Sequence, residues 1–413
     1  MYKFTCLLNR IFYTLNLKRY IDIQFSNIYI NKIELINIQR YAEKKGRPVL
    51  KVTVGPAQYV RKSGLLSEIG LYIEKFGKKA VLIGGNISRE IVETKLREGM
   101  ANMGITLEQS LWYGGEASRT NVNDLVEKLN RVDYDVIIAA GGGKALDTVK
   151  AVAHHVNKPL AAIPTIAATC AATTPIWITY SDEGEFTDIS RDSKVPDIVL
   201  VDADVILQSP VRYLIAGIGD TLAKWFETKT SVKKAAPNAR NQTAIAIAGQ
   251  LYETMLNIGK QSVVSMEEKR MTSELEDMID AVILISGSVS GYGGDDCRTA
   301  GAHAIYSGLT IFPEVHETYH GEIVAFGILA MLCMEGEEEK EIEDLISYYQ
   351  EVNLPYTLQQ MNVTKLSEAQ WKVLGEVSVT IEDMANMPFD VTPDMVVAAV
   401  KQADSIGKKM LVK

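Results

Sequence analysis

Four short apolar runs, at residues 79–84, 135–140, 159–163 and 198–202, constrain this chain more than anything else in it. Lys79-Ala80-Val81-Leu82-Ile83-Gly84 and Asp135-Val136-Ile137-Ile138-Ala139-Ala140 show no polar alternation, so each reads as a strand covered on both faces. Both runs meet glycine and lead into helical spacing, over residues 88–100 and 144–156. Strands separated by helices predict parallel crossovers and a sheet with helices on both sides. Ile176-Trp177-Ile178-Thr179-Tyr180 and Phe186-Thr187-Asp188-Ile189 flank Ser181-Asp182-Glu183-Gly184, which is a hairpin signal.

After Pro210 the strand signals fade. Residues 212–233, 238–256, 267–289, 321–334 and 393–403 carry helical periodicity. At 413 residues two domains are the default. The expected fold is an α/β domain with a parallel, Rossmann-like sheet over 48–207, followed by an all-α domain over 208–413.

Residues 1–47 differ in character, with nine Lys or Arg against three Asp or Glu. They read either as a basic arm for an acidic partner or as a loosely held extension upstream of the natural start. The whole chain carries −9, which argues against a nucleic-acid partner. No run approaches the ~20 apolar residues of a membrane span, and the start lacks the apolar core of a signal peptide. Cys6, Cys170, Cys297 and Cys333 lie far apart without a Cys-x-x-Cys pair, which fits a reducing, cytoplasmic compartment.

Gly141-Gly142-Gly143 follows the second strand and opens a helix, an arrangement whose free N–H groups suit an anion such as a pyrophosphate; a plain strand-to-helix turn explains it equally well. Asp147, within that helix, either orients the loop or is an exposed helix carboxylate. Pro164 to Pro175 is rich in alanine and threonine and lies at a strand's carboxyl end, where open α/β sheets bind ligands. His303 and His320 stand seventeen residues apart, with Asp220 as the natural carboxylate partner; two imidazoles and a carboxylate form a common ligand set for a divalent metal. A hydrogen-bonded core histidine is the alternative for each.

Taken together, Gly141 to Lys150, Pro164-Thr165-Ile166-Ala167, Gly217-Ile218-Gly219-Asp220, His303 and His320-Gly321 resemble the iron-containing alcohol dehydrogenase family in its glycerol dehydrogenase-like branch. The resemblance runs from about Pro48 to near the end and keeps order and spacing: 21 residues from Lys144 to Thr165, 55 from there to Asp220 and 83 on to His303. It implies a dinucleotide in the 48–207 domain, bound by Gly142, Gly143, Lys144, Asp147, Thr165, Thr174, Ile176 and Tyr180. It also implies a divalent metal on Asp220, His303 and His320, with zinc expected ahead of iron, manganese or nickel. The metal would act as a Lewis acid on the substrate oxygen while hydride passes between substrate carbon and nicotinamide. A homo-oligomer is expected, with a small alcohol or carbonyl as substrate.

Three positions depart from the glycerol-oxidising pattern. Cys170 stands where such enzymes carry an aspartate that contacts the polyol; Lys224, one turn after Asp220, could meet a substrate carboxylate or pair with Asp220 itself. Together they look like hydroxycarboxylate dehydrogenase A, a relative that reduces 2-oxo acids. Asn86 stands where a carboxylate would accept from the ribose 2′-hydroxyl of NAD, so NADP or dual use is expected, with Arg89 a candidate phosphate partner. The expected reaction is therefore 2-oxo acid reduction or its reverse, with glycerol-like polyols as the alternative. A lyase of the dehydroquinate synthase type and a non-catalytic dinucleotide-binding protein are the rivals from other classes.

Overall fold

The computed structural model describes residues 52–184, 186–190 and 194–412; the basic extension over residues 1–47, with Cys6, lies outside the described residues. Six strands form one parallel sheet: β1 (Tyr59–Lys62), β2 (Lys79–Gly84), β3 (Thr106–Trp112), β4 (Val136–Gly141), β5 (Leu160–Pro164) and, beyond the hairpin of β6 (Trp177–Tyr180) and β7 (Phe186–Ser190), β8 (Ile198–Asp202). Their spatial order is β1-β8-β5-β4-β2-β3. All four apolar runs are strands, within a residue of the expected bounds. β1 and β3 carry no such run because they are the sheet's edges: β3 reads Thr-Leu-Glu-Gln-Ser-Leu-Trp and none of its residues is buried.

Alternate strand residues feed two separate cores. Ala80, Leu82, Val136 and Ile138 pack with Val92, Leu96 and Met100 of helix α1 (Asn86–Ala101). Val81, Ile83, Ile137 and Ala139 face the opposite side, towards α2 (Arg119–Leu129) and α3 (Gly143–Val156), in a core that continues into the helical half. From β2 the chain moves outward to β3 and then back across to β4. The order therefore reverses between β2 and β4, and their carboxyl ends flank the crevice where sheets of this kind bind ligands.

The remainder is helical: α4 (Val211–Ser231), α5 (Ala239–Glu267), α6 (Ser273–Asp280), α7 (Ser286–Gly293), α8 (Gly301–Leu309), α9 (His320–Glu335), α10 (Glu339–Val352), α11 (Glu368–Thr380) and α12 (Pro393–Val412). The helix expected over 267–289 starts later, after a turn at 268–272, and runs without a gap from Ser273 to Gly293: a wider, π-helical segment at Ala281–Ile285 joins α6 to α7, and the Thr173 hydroxyl donates to the Ile283 carbonyl within it. Helix α9 is buried at every residue from Gly321 to Cys333, so it forms the axis around which the other helices pack. Among the described residues no helix is long and apolar enough to cross a membrane.

Candidate metal and coenzyme site

Glycines decide where the charged side chains meet. A Cβ on Gly219 would lie 2.3 Å from the Gly321 carbonyl, and one on Gly321 would lie 1.8 Å from the Ala216 carbonyl. Helices α4 and α9 therefore touch backbone to backbone at the residues next to Asp220 and His320. Gly327 allows a similar approach of α9 to Ala302 in α8, where a Cβ would meet the Ala302 carbonyl at 2.4 Å. These contacts bring one carboxylate and two imidazoles from three helices together.

Asp220 is buried and central. Its Oδ1 lies 3.5 Å from His303 Nε2, 3.6 Å from His320 Nε2 and 3.4 Å from Lys224 Nζ. One ligand atom from each of Asp220, His303 and His320 falls within 4.8 Å of the others. Burial pushes the Asp220 carboxyl up, yet the Lys224 ammonium and the two histidines outweigh it and hold it well below the usual carboxylate range. Burial pushes His303 down, but Glu227 and Asp220 raise it to about 9. Lys224 is likewise opposed by burial and held up by the negative charge of Asp220. One carboxylate oxygen thus faces an ammonium and two imidazole nitrogens, and the carboxylate with the two neutral imidazoles is a donor set for a divalent ion.

Of the proposed coenzyme residues, Gly142 and Gly143 stand at the carboxyl end of β4, beside the strand-order reversal. Gly142 caps α3 and Gly143 is its first residue, and no side chain caps the amides there. A Cβ on Gly143 would make ordinary van der Waals contact with Thr169 Oγ1 at 3.6 Å and Ala171 Cβ at 3.9 Å, so the helix end lies beside the loop that follows β5. This is a place where backbone N–H groups can hold a phosphate. Thr165 N–H donates to the Gly141 carbonyl at 3.1 Å and Tyr180 N–H to the Ala117 carbonyl at 2.9 Å. The loop from Thr165 to Ile176 then leans on α4: a Cβ on Gly217 would meet the Ala167 carbonyl at 2.3 Å. Metal and coenzyme residues are thus adjacent.

The family model for iron-containing alcohol dehydrogenase matches residues 56–203. Glycerol dehydrogenase of Thermotoga maritima is 35% identical over 366 residues, covering 87% of this chain and 98% of that protein. Hydroxycarboxylate dehydrogenase A of Escherichia coli strain K12 is 33% identical over 361 residues, covering 86% and 98%. The crystal structure of glycerol dehydrogenase from Schizosaccharomyces pombe superposes with a TM-score of 0.81 at 29% identity, covering 88% of this chain and 92% of that one. The chain belongs to the iron-containing alcohol dehydrogenase family.

That family uses a divalent metal and a nicotinamide dinucleotide, and the donors present suit the metal: one carboxylate oxygen and two imidazole nitrogens converge. The three positions expected to depart from the glycerol-oxidising pattern take defined places. Lys224 is turned to Asp220 and is 3% exposed. Cys170 is buried beside α7, and burial pushes its thiol up, which leaves it unsuited to nucleophilic work. Asn86 is the first residue of α1, and its Oδ1 accepts from Arg89 Nη2 at 2.8 Å. Arg89 also donates to the Ser110 carbonyl and hydroxyl, each at 3.3 Å, while its Nε is buried with no partner among the described residues.

Two expected coenzyme contacts are engaged within the protein. Asp147 is buried, pairs with Lys150 at 2.7 Å and accepts the Ile178 N–H at 3.0 Å, so its carboxylate braces the loop and does not face the crevice as a ligand. Lys144 pairs with Glu116 at 2.6 Å and lies over the Tyr180 ring. Glu116 carries no motif that marks it in sequence, and Lys150 ends the matched glycine-rich stretch without a role assigned to it there. The Lys150 ammonium donates to the carbonyls of Ala171, at 2.7 Å, and Ile176, tying both ends of the segment that contains Thr174. Glu227 was also not singled out from sequence; it accepts from His303 Nδ1 at 2.6 Å. The signal for it is its place seven residues after Asp220, two turns along the same helix face. His316 turns its Nε2 to the Thr310 carbonyl, away from the trio.

Proposed function

We propose that this chain is an NAD(P)-linked dehydrogenase that oxidises a small polyol of the glycerol class, or reduces the matching hydroxy-carbonyl, at a metal held by Asp220, His303 and His320. The observation that carries this reading is the convergence of those three side chains, with the helix of Asp220 packed against the loop that follows β5. When bound, the metal supplies Lewis acidity at the substrate oxygen and the dinucleotide supplies or accepts hydride. The chain's own residues do the rest. The α3 N-terminus receives phosphate, Lys150 holds the loop that carries Thr174 and Ile176, and the buried walls formed by Cys170 and α7 exclude water. Tyr306 stands edge-on to His320 with ring centroids 4.4 Å apart, limiting the freedom of that ligand.

The glycerol dehydrogenase names of the relatives favour a polyol over the 2-oxo acid expected from Lys224 and Cys170. The second reading keeps one specific observation on its side: Lys224 is a buried cation 3.4 Å from Asp220, well placed for a substrate carboxylate. The reducing compartment expected from the cysteines accords with Cys170, Cys297 and Cys333 being free thiols, and we place the enzyme in the cytoplasm. A matrix of NADH and NADPH against dihydroxyacetone, simple aldehydes and 2-oxo acids, on metal-stripped and reconstituted protein, tests the assignment. Dihydroxyacetone should give the highest kcat/KM, and only with metal. Preference for 2-oxo acids, lost in Lys224→Ala, would install the second reading; no metal-dependent turnover on any of them would overturn both.

A further inference from the structure

Glu227 is fully buried, an expensive place for a carboxylate unless each oxygen is used. Both are. Oε1 accepts the backbone N–H groups of Ala300, at 2.7 Å, and His303, at 3.0 Å, while Oε2 meets His303 Nδ1 at 2.6 Å. Ala300 and His303 lie at the start of α8, so one side chain of α4 satisfies two otherwise orphaned helix N–H groups and also grips the imidazole. With Nδ1 committed to a carboxylate, the other ring nitrogen, Nε2, is the one that faces Asp220.

We propose that Glu227 is a positioning residue for the metal: it fixes His303 as the tautomer protonated at Nδ1, leaves the Nε2 lone pair directed at the site and makes that nitrogen a better donor. This rests on the metal reading of Asp220, His303 and His320. Asp220 and Glu227 stand two turns apart on α4, so a single helix face supplies both a ligand and the group that orients another ligand. Partners of this kind set metal affinity without touching the ion.

The decisive substitution is Glu227→Gln. The glutamine oxygen can keep the two backbone N–H groups, but its amide then presents a donor to Nδ1 and forces the proton onto Nε2, the wrong nitrogen for ligation. Zinc affinity is measured by chelator competition on the full-length, metal-stripped protein, with NADH affinity of the same metal-free protein as the control. The expected result is zinc binding about 10- to 100-fold weaker, with NADH binding unchanged. A purely structural role would weaken both. Glu227→Asp keeps the charge but withdraws the oxygens by one methylene, so it should lie between wild type and Glu227→Gln, and it decides the matter should the glutamine variant not fold. Zinc affinity equal to wild type in these variants overturns the proposal while leaving the metal site intact. Failure of the wild type to take up one zinc, or undiminished binding by Asp220→Asn, overturns the metal reading, and the role of Glu227 falls with it.

Discussion

At the scale of single residues, Asn86 is the proposed determinant of coenzyme choice. An amide at the head of α1 does not repel a 2′-phosphate as a carboxylate would, and its oxygen already holds Arg89, whose guanidinium lies at the same corner of the crevice. Asn86→Asp is expected to raise the ratio of kcat/KM for NADH over NADPH by about tenfold, equivalent to roughly 1.4 kcal/mol. An unchanged ratio would show that the 2′ position is read elsewhere. Asn86 could be singled out in the sequence because a strand and its terminal glycines precede it. Glu227 was not, although it shares a helix face with Asp220: a glutamate inside a helix reads as solvent-facing, and the arrival of α8 buries it. Asp147 was legible in part: orienting the loop was one of its two readings, but nothing local shows that Lys150 and the Ile178 amide occupy it.

At the scale of helices, the site depends on the absence of side chains. Gly321 follows His320 and presses on the α4 backbone, where an added Cβ would lie 1.8 Å from the Ala216 carbonyl and 3.0 Å from the Asp220 nitrogen. Backbone cannot yield as a side-chain tip can. Gly321→Ala should therefore cost about 3 kcal/mol, the upper end of ordinary overpacking, and should lower zinc affinity by moving His320 away from Asp220. Urea unfolding and chelator competition check the two effects; a variant as stable as wild type with unaltered zinc binding would mean that the helices separate freely. The long helices and buried strands were legible because their apolar spacing is local. The edge strands β1 and β3 were not, since half-exposed residues carry no apolar run, and the wider turn that joins α6 to α7 involves a hydroxyl from a loop more than a hundred residues earlier.

At the scale of the molecule, an ion held by Asp220, His303 and His320 would join three helices distant in sequence, so the folded state alone could bind it with all its ligands. Zinc at a hundred times its dissociation constant should add about 2.7 kcal/mol of stability, seen as a concentration-dependent rise in Tm that Asp220→Asn abolishes. A Tm indifferent to zinc would remove the site from the folding equilibrium. The contact between Gly217 and the Ala167 carbonyl has a thermodynamic side as well. It makes the coenzyme loop and the helix of Asp220 neighbours without any intervening side chain, so a shift in one bears on the other. Such coupling is reciprocal by necessity: whatever factor NADH contributes to the grip on zinc, zinc must return to the grip on NADH, and measuring either one gives both.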